Sequence, residues 1–529
     1  MDTDVLIVGA GPTGLMLANQ LARRGVRTLI IDRHAGPSQQ TRALGVQART
    51  LEIYAHLGIA KRALELGKRG TGANVWADGR KTARLPLGDA GRTVTPYPYI
   101  LILGQDDNER IMGERLREQG HAVQWNTELR ALTQHAGYVS TTLKQPDGAL
   151  REIRATWVAG CDGAHSAVRE LNGIAFDGAP YEHVFFVADV EVTGNMVAEE
   201  VNVYLWRQGF HLFFPMRGHD HWRIVGIVPP ELRGQANLQF DAVAPSVRGE
   251  AGELVFKGCT WFSTYRIHHR SARHLRERRC FLLGDAAHIH SPVGAQGMNT
   301  GLQDAYNLAW KLALVVQERA DPALLESFEA ERLPIAKRLL ATTDRAFRLI
   351  VSDAWWAGLL RTKVLARIGA LAMRRERVQS LAFRTVSQTA IHYRDSTLSM
   401  AEEPARNGAP HAGDRFPWLK LQFNAQAAAE DLFERIDDTR FHLLAFGAPP
   451  PDLSMLPLAH MLDISVVPGT PGNDTERARV GIASPSFYLL RPDGHIALCG
   501  QRLDADKIGR YLVDRLGARE INRPSPPSP

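Results

Sequence analysis

The sequence predicts an α/β protein: a parallel-sheet unit interrupted by an antiparallel sheet, then helices, then a small C-terminal α/β module. Three observations carry this. A complete β-α-β unit lies within residues 1–32. A block rich in aromatic and β-branched residues reads as strands inserted between two parts of that unit. From Asn299 onward Leu302, Ala305, Ala309, Leu312 and Val316 recur at helical spacing.

Taken in order, residues 5–8 form an apolar, β-branched run, as in a buried parallel strand. Glycines follow, then "LMLANQLARRG", where Leu15, Ala18, Leu21 and Ala22 share a helical face and Gly25 takes the C-cap position. The next strand runs over 27–32. Two more strand-led pieces are "ATWVAGCDGAHSAVRELNGI" (155–174) and "RRCFLLGDAAH" (278–288). Between them lie "VFFVADVEV", "NVYLW", "FHLFFPMRGHDHWRIVGIV" and "KGCTWFSTYRIHH", with "RGHD" as a turn. The helical pattern continues, with breaks, to about Ser387. A polar, Pro- and Gly-containing stretch at 401–417 marks a linker. Beyond it "RFHLLAFG", "DISVVPG" and "FYLLRPDGHIALCG" are strands, the last a pair around a Pro-Asp-Gly turn. The expected organisation is a discontinuous first domain over 1–180 and 265–390, an inserted sheet over 181–264, a linker over 391–410, a module over 411–520 and a disordered tail over 521–529. There is no internal repeat.

Composition narrows the function classes. With 529 residues, 44% hydrophobic and 23% charged, the chain is an ordinary globular protein of several domains. Its net charge of +6 is a mild excess, which argues against nucleic acid and is compatible with an anionic cofactor. The basic run "RIHHRSARHLRERR" (266–279) reads as a solvated surface or an attractor of nucleotide phosphates. Cys161, Cys259, Cys280 and Cys499 are far apart and form no CxxC, as expected in a reducing compartment. The N-terminus lacks a basic leader, and no apolar run reaches the roughly 18 residues that span a bilayer, so the cytoplasm is expected and a membrane is not.

Chemistry enters with "GAGPTG". Gly9, Gly11 and Gly14 fit GxGxxG, with Thr13 inside the turn, after a strand and at the start of a helix, and Asp32 ends the next strand. Gly9 permits the tight turn, Gly11 the approach of a pyrophosphate, and Gly14 close helix–strand packing, as in a Rossmann-type dinucleotide site. Asp32 is placed to accept from ribose hydroxyls. Arg33 admits two readings, a reader of a 2′-phosphate or a surface residue over the adenine. A second stretch, "GDAAHIHSPVGAQGMNTG" (284–301), also admits two. Asp285, His288 and His290 have a spacing that could hold a metal. The glycines instead suggest backbone wrapped around a ligand.

Together, GxGxxG, "CDGAHSAVR" (161–169) and "GDAAH" (284–288), in that order, resemble the class A FAD-dependent aromatic monooxygenases, the 4-hydroxybenzoate hydroxylase and phenol hydroxylase group. The resemblance covers about residues 1–390. It implies a Rossmann-type FAD-binding domain, an inserted substrate-binding sheet, NADPH or NADH as reductant and dioxygen as oxidant. It implies hydroxylation of a phenolic or polycyclic aromatic substrate through a flavin C4a-hydroperoxide, and Baeyer–Villiger or epoxidising oxygenation as the alternative on the same scaffold. A non-catalytic flavin-binding protein and a zinc hydrolase are the readings from other classes. Placed residue by residue, the resemblance assigns Gly9, Gly11, Gly14 and Asp32 to the ADP half of FAD and Arg42 to its pyrophosphate. It places Gln105 near the ribityl chain, Asp162 at a motif tied to FAD and NAD(P)H use, and Asp285 on a ribityl hydroxyl. Pro292 and Gly294 would approach the ring, and Gly297, Met298 and Asn299 would set backbone N–H groups and a helix dipole against the pyrimidine edge. On this view 284–301 is a flavin cradle and no metal is expected. His288 is structural, and His290 and Pro292 are candidates for the reactive edge.

Substrate contacts are less defined. Tyr204, Trp206, His211, Phe213, Phe214 and Pro215 lie on the inserted strands, and period-two alternation puts only some of them on the cavity side. No residue is identified as the phenol base. The module over 411–520 resembles the thioredoxin-like domain of the phenol hydroxylase branch. Without CxxC its expected role is structural or a homodimer contact.

Overall fold

A computed structural model describes residues 1–38, 44–77, 79–206, 209–235, 237–251, 253–289, 296–351, 371–403 and 408–519. The strand Thr3–Val8 lies at the centre of the first sheet. Thr28–Ile31 and then Val123–Gln124 flank it on one side, Leu150–Gly160 and then Cys280–Leu282 on the other, all parallel. Val5, Leu6 and Ile7 are fully buried, as the unbroken apolar run requires of a strand covered on both faces. Helix Pro12–Ala22 packs on this sheet and against helix Gly297–Val316, the longest fully buried helical stretch of the first unit.

That long helix is tied down by one carboxylate. Asp304 accepts from the Gly284 backbone N–H at 3.1 Å and from Arg332 Nε at 2.6 Å, and lies 2.8 Å from His288 Nε2. Burial works against its charge, but Arg332 and His288 hold the carboxyl below the usual carboxylate range.

The second sheet is larger than the expected 181–264. Its long members Phe176–Gly194 and Leu254–Ala272 begin before and end after those limits. Between them and the far edge lie His221–Ile227, Gly209–Pro215 and Val201–Trp206, and Gly72–Ala77 with Arg80–Pro86 complete that edge. The last two come from the first unit because Gly72–Ala77 pairs in parallel with Val201–Trp206, while the rest of the sheet is antiparallel. A helix the sequence reading passed over, Phe240–Ala251, covers one face and contains Pro245.

The C-terminal unit is a five-stranded sheet in the order Met400–Ala401, Ile496–Gly500, Ser486–Leu490, Phe441–Phe446, Leu462–Val467. Its Pro492-Asp493-Gly494 turn joins two antiparallel strands, as the sequence predicts. The expected linker over 391–410 is packed where described. Leu398 and Tyr393 are buried, and Met400–Ala401 joins the sheet. No helix among the described residues is long and apolar enough to cross a membrane.

The turn docks through buried charge. Arg491 donates to Glu331 at 2.6 Å and to Asp493 at 3.0 Å, Lys311 Nζ donates to Glu331 at 2.7 Å, and Trp310 Nε1 to Asp493 at 3.1 Å. Burial opposes the charge of Glu331, yet Arg491 and Lys311 hold it down to about 2 from an ordinary 4.5. A carboxyl held below its unfolded value contributes stability that is present above the unfolded value and lost as pH falls through the folded one. The Glu331→Gln variant, which leaves the buried Lys311 without a carboxylate and Arg491 with Asp493 alone, is expected to lose about 3–5 kcal/mol near neutrality. Unfolding measured down the acid range should show the wild-type advantage shrinking between pH 4.5 and about 2. A gap that stays constant over that range contradicts the assignment.

Candidate active site

The C-terminal ends of four parallel strands stand side by side. Val8 is in register with Ile31 and Gly160, and Gly160 with Leu282. The residues that follow are Gly9, Asp32, the Cys161-Asp162 pair and the Gly284-Asp285 pair, so all three motifs meet at one sheet edge. Ligands of open α/β sheets bind at such an edge. A cavity of about 820 Å³ opens there, lined among others by Gly11, Arg33, Gln105, Glu109, Asp162 and Asp285.

Backbone packing separates the three glycines. Gly9 has φ +102°, and a Cβ there would run into the Cys161 carbonyl; a Cβ at Gly14 would run into the Gly9 carbonyl. Both are required by contacts within the protein. Gly11 differs: a Cβ there meets no heavy atom within 4 Å, and the residue lines the cavity. It is also the N-cap of helix Pro12–Ala22, with no side chain capping the helix. The opening is a cradle at a helix N-terminus, where unpaired N–H groups favour an anion. Thr13 fills the space beneath: Cβ atoms at Gly284 and Gly301 would both strike its Oγ1.

The polar groups are already oriented. Asp32 Oδ2 accepts from the Ala10 N–H at 2.7 Å and Oδ1 from the His34 N–H at 2.9 Å, so this carboxylate braces the glycine turn. Arg33 is exposed at the rim. Asp162 accepts from the Val168 N–H at 3.2 Å and the Ser166 hydroxyl at 2.5 Å, and burial pushes its carboxyl up. Arg169, from the same motif, donates to the Ala286 carbonyl at 3.0 Å and joins that motif to the Gly-Asp loop. Asp285 is exposed on the cavity wall. Gln105 starts helix Gln105–Glu118 and donates to Glu109 at 2.8 Å. Glu109, which the sequence reading missed, also accepts from the Ser38 N–H at 2.7 Å, and burial raises its pKa. Its signal was the four-residue spacing from Gln105 on one helix face.

Helix Gly297–Val316 begins where the sequence places it. Gly297 and Met298 are half-buried, and Asn299 is buried. The Asn299 amide donates to the Gly45 carbonyl at 2.7 Å and accepts from the Gln47 N–H and the Thr50 hydroxyl, fixing the helix start to helix Ala48–Leu57. Arg42, His290, Pro292 and Gly294 lie outside the described residues. His288 Nε2 faces Asp304, and among the described residues no group of three or more His, Cys, Asp or Glu is placed to hold a metal.

The inserted sheet sorts its aromatic residues by face. Tyr204 and Phe213 pack with Trp76, Trp222 and helix Phe240–Ala251. Trp206, His211 and Pro215 share that side by alternation. His211 is stacked on Trp206 at 5.5 Å, and burial pushes its pKa down to about 3, so its ring is neutral. Of these five substrate candidates, Tyr204 and Phe213 pack beneath the covering helix, and the other three share their side of the sheet by alternation. Phe214 points the other way and packs with Val187, Val225, Leu44 and Ala48, on the side of the Asn299 anchor. Phe210, Leu212 and Tyr265 lie on that side too, as does Arg223, which pairs with Asp189 and sits 5.1 Å over the Trp261 ring.

The FAD binding domain family matches residues 2–343. The chain is 32% identical to 6-methylpretetramide 4-monooxygenase of Streptomyces rimosus, over 94% of this chain and 91% of that protein. It is 33% identical to pentachlorophenol 4-monooxygenase of Sphingobium chlorophenolicum, over 84% and 80%. Among solved structures, aklavinone-11 hydroxylase in complex with FAD and aklavinone superposes with a TM-score of 0.78 at 25% identity, over 98% of this chain and 99% of that one. A glycine cradle at the meeting point of three motifs, a lined cavity beside it and full-length relatives of one chemistry agree: the chain belongs to the FAD-binding family of FAD-dependent aromatic monooxygenases.

Proposed function

We propose that the protein hydroxylates a phenolic or polycyclic aromatic compound in the cytoplasm, with NADPH or NADH as reductant and dioxygen as oxidant. The observation that carries the reading is the two-faced sheet, on one side of which Leu212, Phe214 and Tyr265 share an apolar cluster with Leu44 and Ala48, beside the Gln47 and Thr50 that hold Asn299. The named activities of the relatives favour hydroxylation over the Baeyer–Villiger alternative.

Bound FAD supplies the reduction by NAD(P)H and the transfer of one oxygen atom to the substrate. The chain's own residues do the rest. Gly11 and the N-terminus of helix Pro12–Ala22 receive the pyrophosphate, Asp32 and Arg33 border the adenosine end, and Gln105, Asp162 and Asp285 flank the ribityl side. The first turn of helix Gly297–Val316 would set N–H groups and the positive end of its dipole against the pyrimidine edge of the bound flavin, and would favour negative charge there. Asn299 keeps that turn in place, so the donors need no reorganisation. The inner face of the sheet excludes water from the ring. Arg223, desolvated beside Asp189 and Trp261, orients a substrate oxygen there. The C-terminal unit is taken as the thioredoxin-like module in a structural or dimer-contact role, a reading its five-stranded sheet supports.

A panel of simple phenols and fused-ring phenolics, assayed for stimulated NAD(P)H oxidation with ¹⁸O₂, tests the reaction. A product heavier by one labelled oxygen on an intact ring is expected. Label inserted into a ring C–C bond, or no stimulation across the panel, refutes it.

The cradle has its own test. Gly11→Val places its side chain in open space, so folding stability should change by less than about 1 kcal/mol while FAD affinity falls at least tenfold. Gly14→Val should instead destabilise the whole unit. Equal FAD affinity in Gly11→Val and wild type would remove the pyrophosphate from this turn.

A further inference from the structure

A second cavity, of about 440 Å³, lies where the C-terminal unit meets the FAD-binding unit. Thr93 and Val94, helix Glu376–Val386 and parts of 408–418 and 479–480 wall it. Arg384, Arg394, Arg415 and Arg479 all line it. Three have counter-charges: Arg394 donates to Asp414 at 2.6 Å, Arg479 to Glu476 at 2.7 Å and Arg415 to Glu52 at 2.9 Å. Glu52 is shared, since Arg49 also donates to it at 3.0 Å. Arg384 has neither a carboxylate nor a hydrogen-bonding partner for its guanidinium among the described residues. Four lining guanidiniums thus stand against the three carboxylates of Glu52, Asp414 and Glu476 that pair with them, and Arg384 is the one left unmatched.

We propose that this cavity is a phosphate-binding site for a nucleotide, with Arg384 as the guanidinium left for the phosphate. Guanidinium forks match phosphate oxygens in geometry and charge. Arg384 is exposed on its helix, so a phosphate can reach it, and the recess concentrates the field of the four arginines that line it. Desolvation of its inner edge, and then its neighbours Arg415 and Arg479, pull the Arg384 pKa below the ordinary value, a repulsion that an anion relieves. The size suits a mononucleotide or the nucleotide half of a larger cofactor. Trp418 lines the wall with its Nε1 bound to Asp431 at 2.8 Å, which fixes a flat apolar ring beside the charge. The sequence holds no second glycine-rich fingerprint, so the phosphates of the reductant call for basic side chains, here or in the run over 266–279. The shared chemistry is a nucleotide phosphate. It belongs either to the nicotinamide reductant or to a free nucleotide.

The test titrates ADP into the FAD-saturated full chain by calorimetry, in wild type, Arg384→Gln and Arg384→Lys. Arg384→Gln is expected to weaken ADP at least tenfold with bound FAD unchanged, Arg384→Lys to recover part of the loss, and added salt to weaken binding in the wild type. Steady-state rates with NADPH and NADH identify the source. A raised KM with kcat held marks the reductant, and lost ADP binding with KM unchanged marks a free nucleotide. No ADP binding to the wild type, or equal affinity in Arg384→Gln, overturns the proposal. Neither outcome touches the hydroxylase reading, because the titration needs no turnover.

Discussion

Much of the structure hangs on Asp304. One carboxylate, buried in helix Gly297–Val316, holds the Gly-Asp loop through the Gly284 N–H, the following strand through His288, and helix Glu326–Val351 through Arg332. Without its charge two buried cationic or polar groups would lose their partner, and desolvation would weigh against all of them. The arrangement is rigid because each partner is fixed elsewhere as well: Arg332 also donates to the Tyr393 hydroxyl at 2.9 Å and to the Thr300 carbonyl. The helix start that faces the proposed flavin is therefore positioned from behind by an ion cluster and from the side by Asn299.

The same cluster explains why His288 misleads at the level of sequence. Two histidines next to an aspartate have ligand-like spacing, and nothing local says which way His288 points. Its partner is sixteen residues away on a helix. Long-range pairs of that kind are invisible to periodicity. The glycine fingerprint was legible because its constraints are local: a positive φ at Gly9, a close carbonyl at Gly14, open space at Gly11. The parallel strands were legible because unbroken apolar runs and their following motifs lie within a few residues of one another.

The inserted sheet shows where local reading stops. Alternation correctly separates two faces, but it cannot tell which face a helix covers. Helix Phe240–Ala251 carries Pro245 in its interior, which argues against a helix locally, and without it Tyr204 and Phe213 looked available. The edge strands Gly72–Ala77 and Arg80–Pro86 were missed for a different reason. They are short, and the hairpin they form joins the sheet through the pairing of Gly72–Ala77 with residues more than a hundred positions later. The Asp-Gly pair at 78–79 was the available signal, since such pairs favour hairpin turns.

The C-terminal unit acts through packing and charge. Its single cysteine, Cys499, has no partner for dithiol exchange, and burial pushes the thiol up to about 11, far from a reactive thiolate. What the unit does present is the turn around Asp493, whose carboxylate and carbonyl receive Trp310 from helix Gly297–Val316 and Arg49 from helix Ala48–Leu57. Those are the two helices whose N-terminal ends Asn299 joins. The module therefore holds one helix at its first turn, beside the Asn299 contacts, and the other at Trp310, three turns further along. The contacts between the C-terminal unit and the first unit thus run through the same long helix that Asp304 anchors.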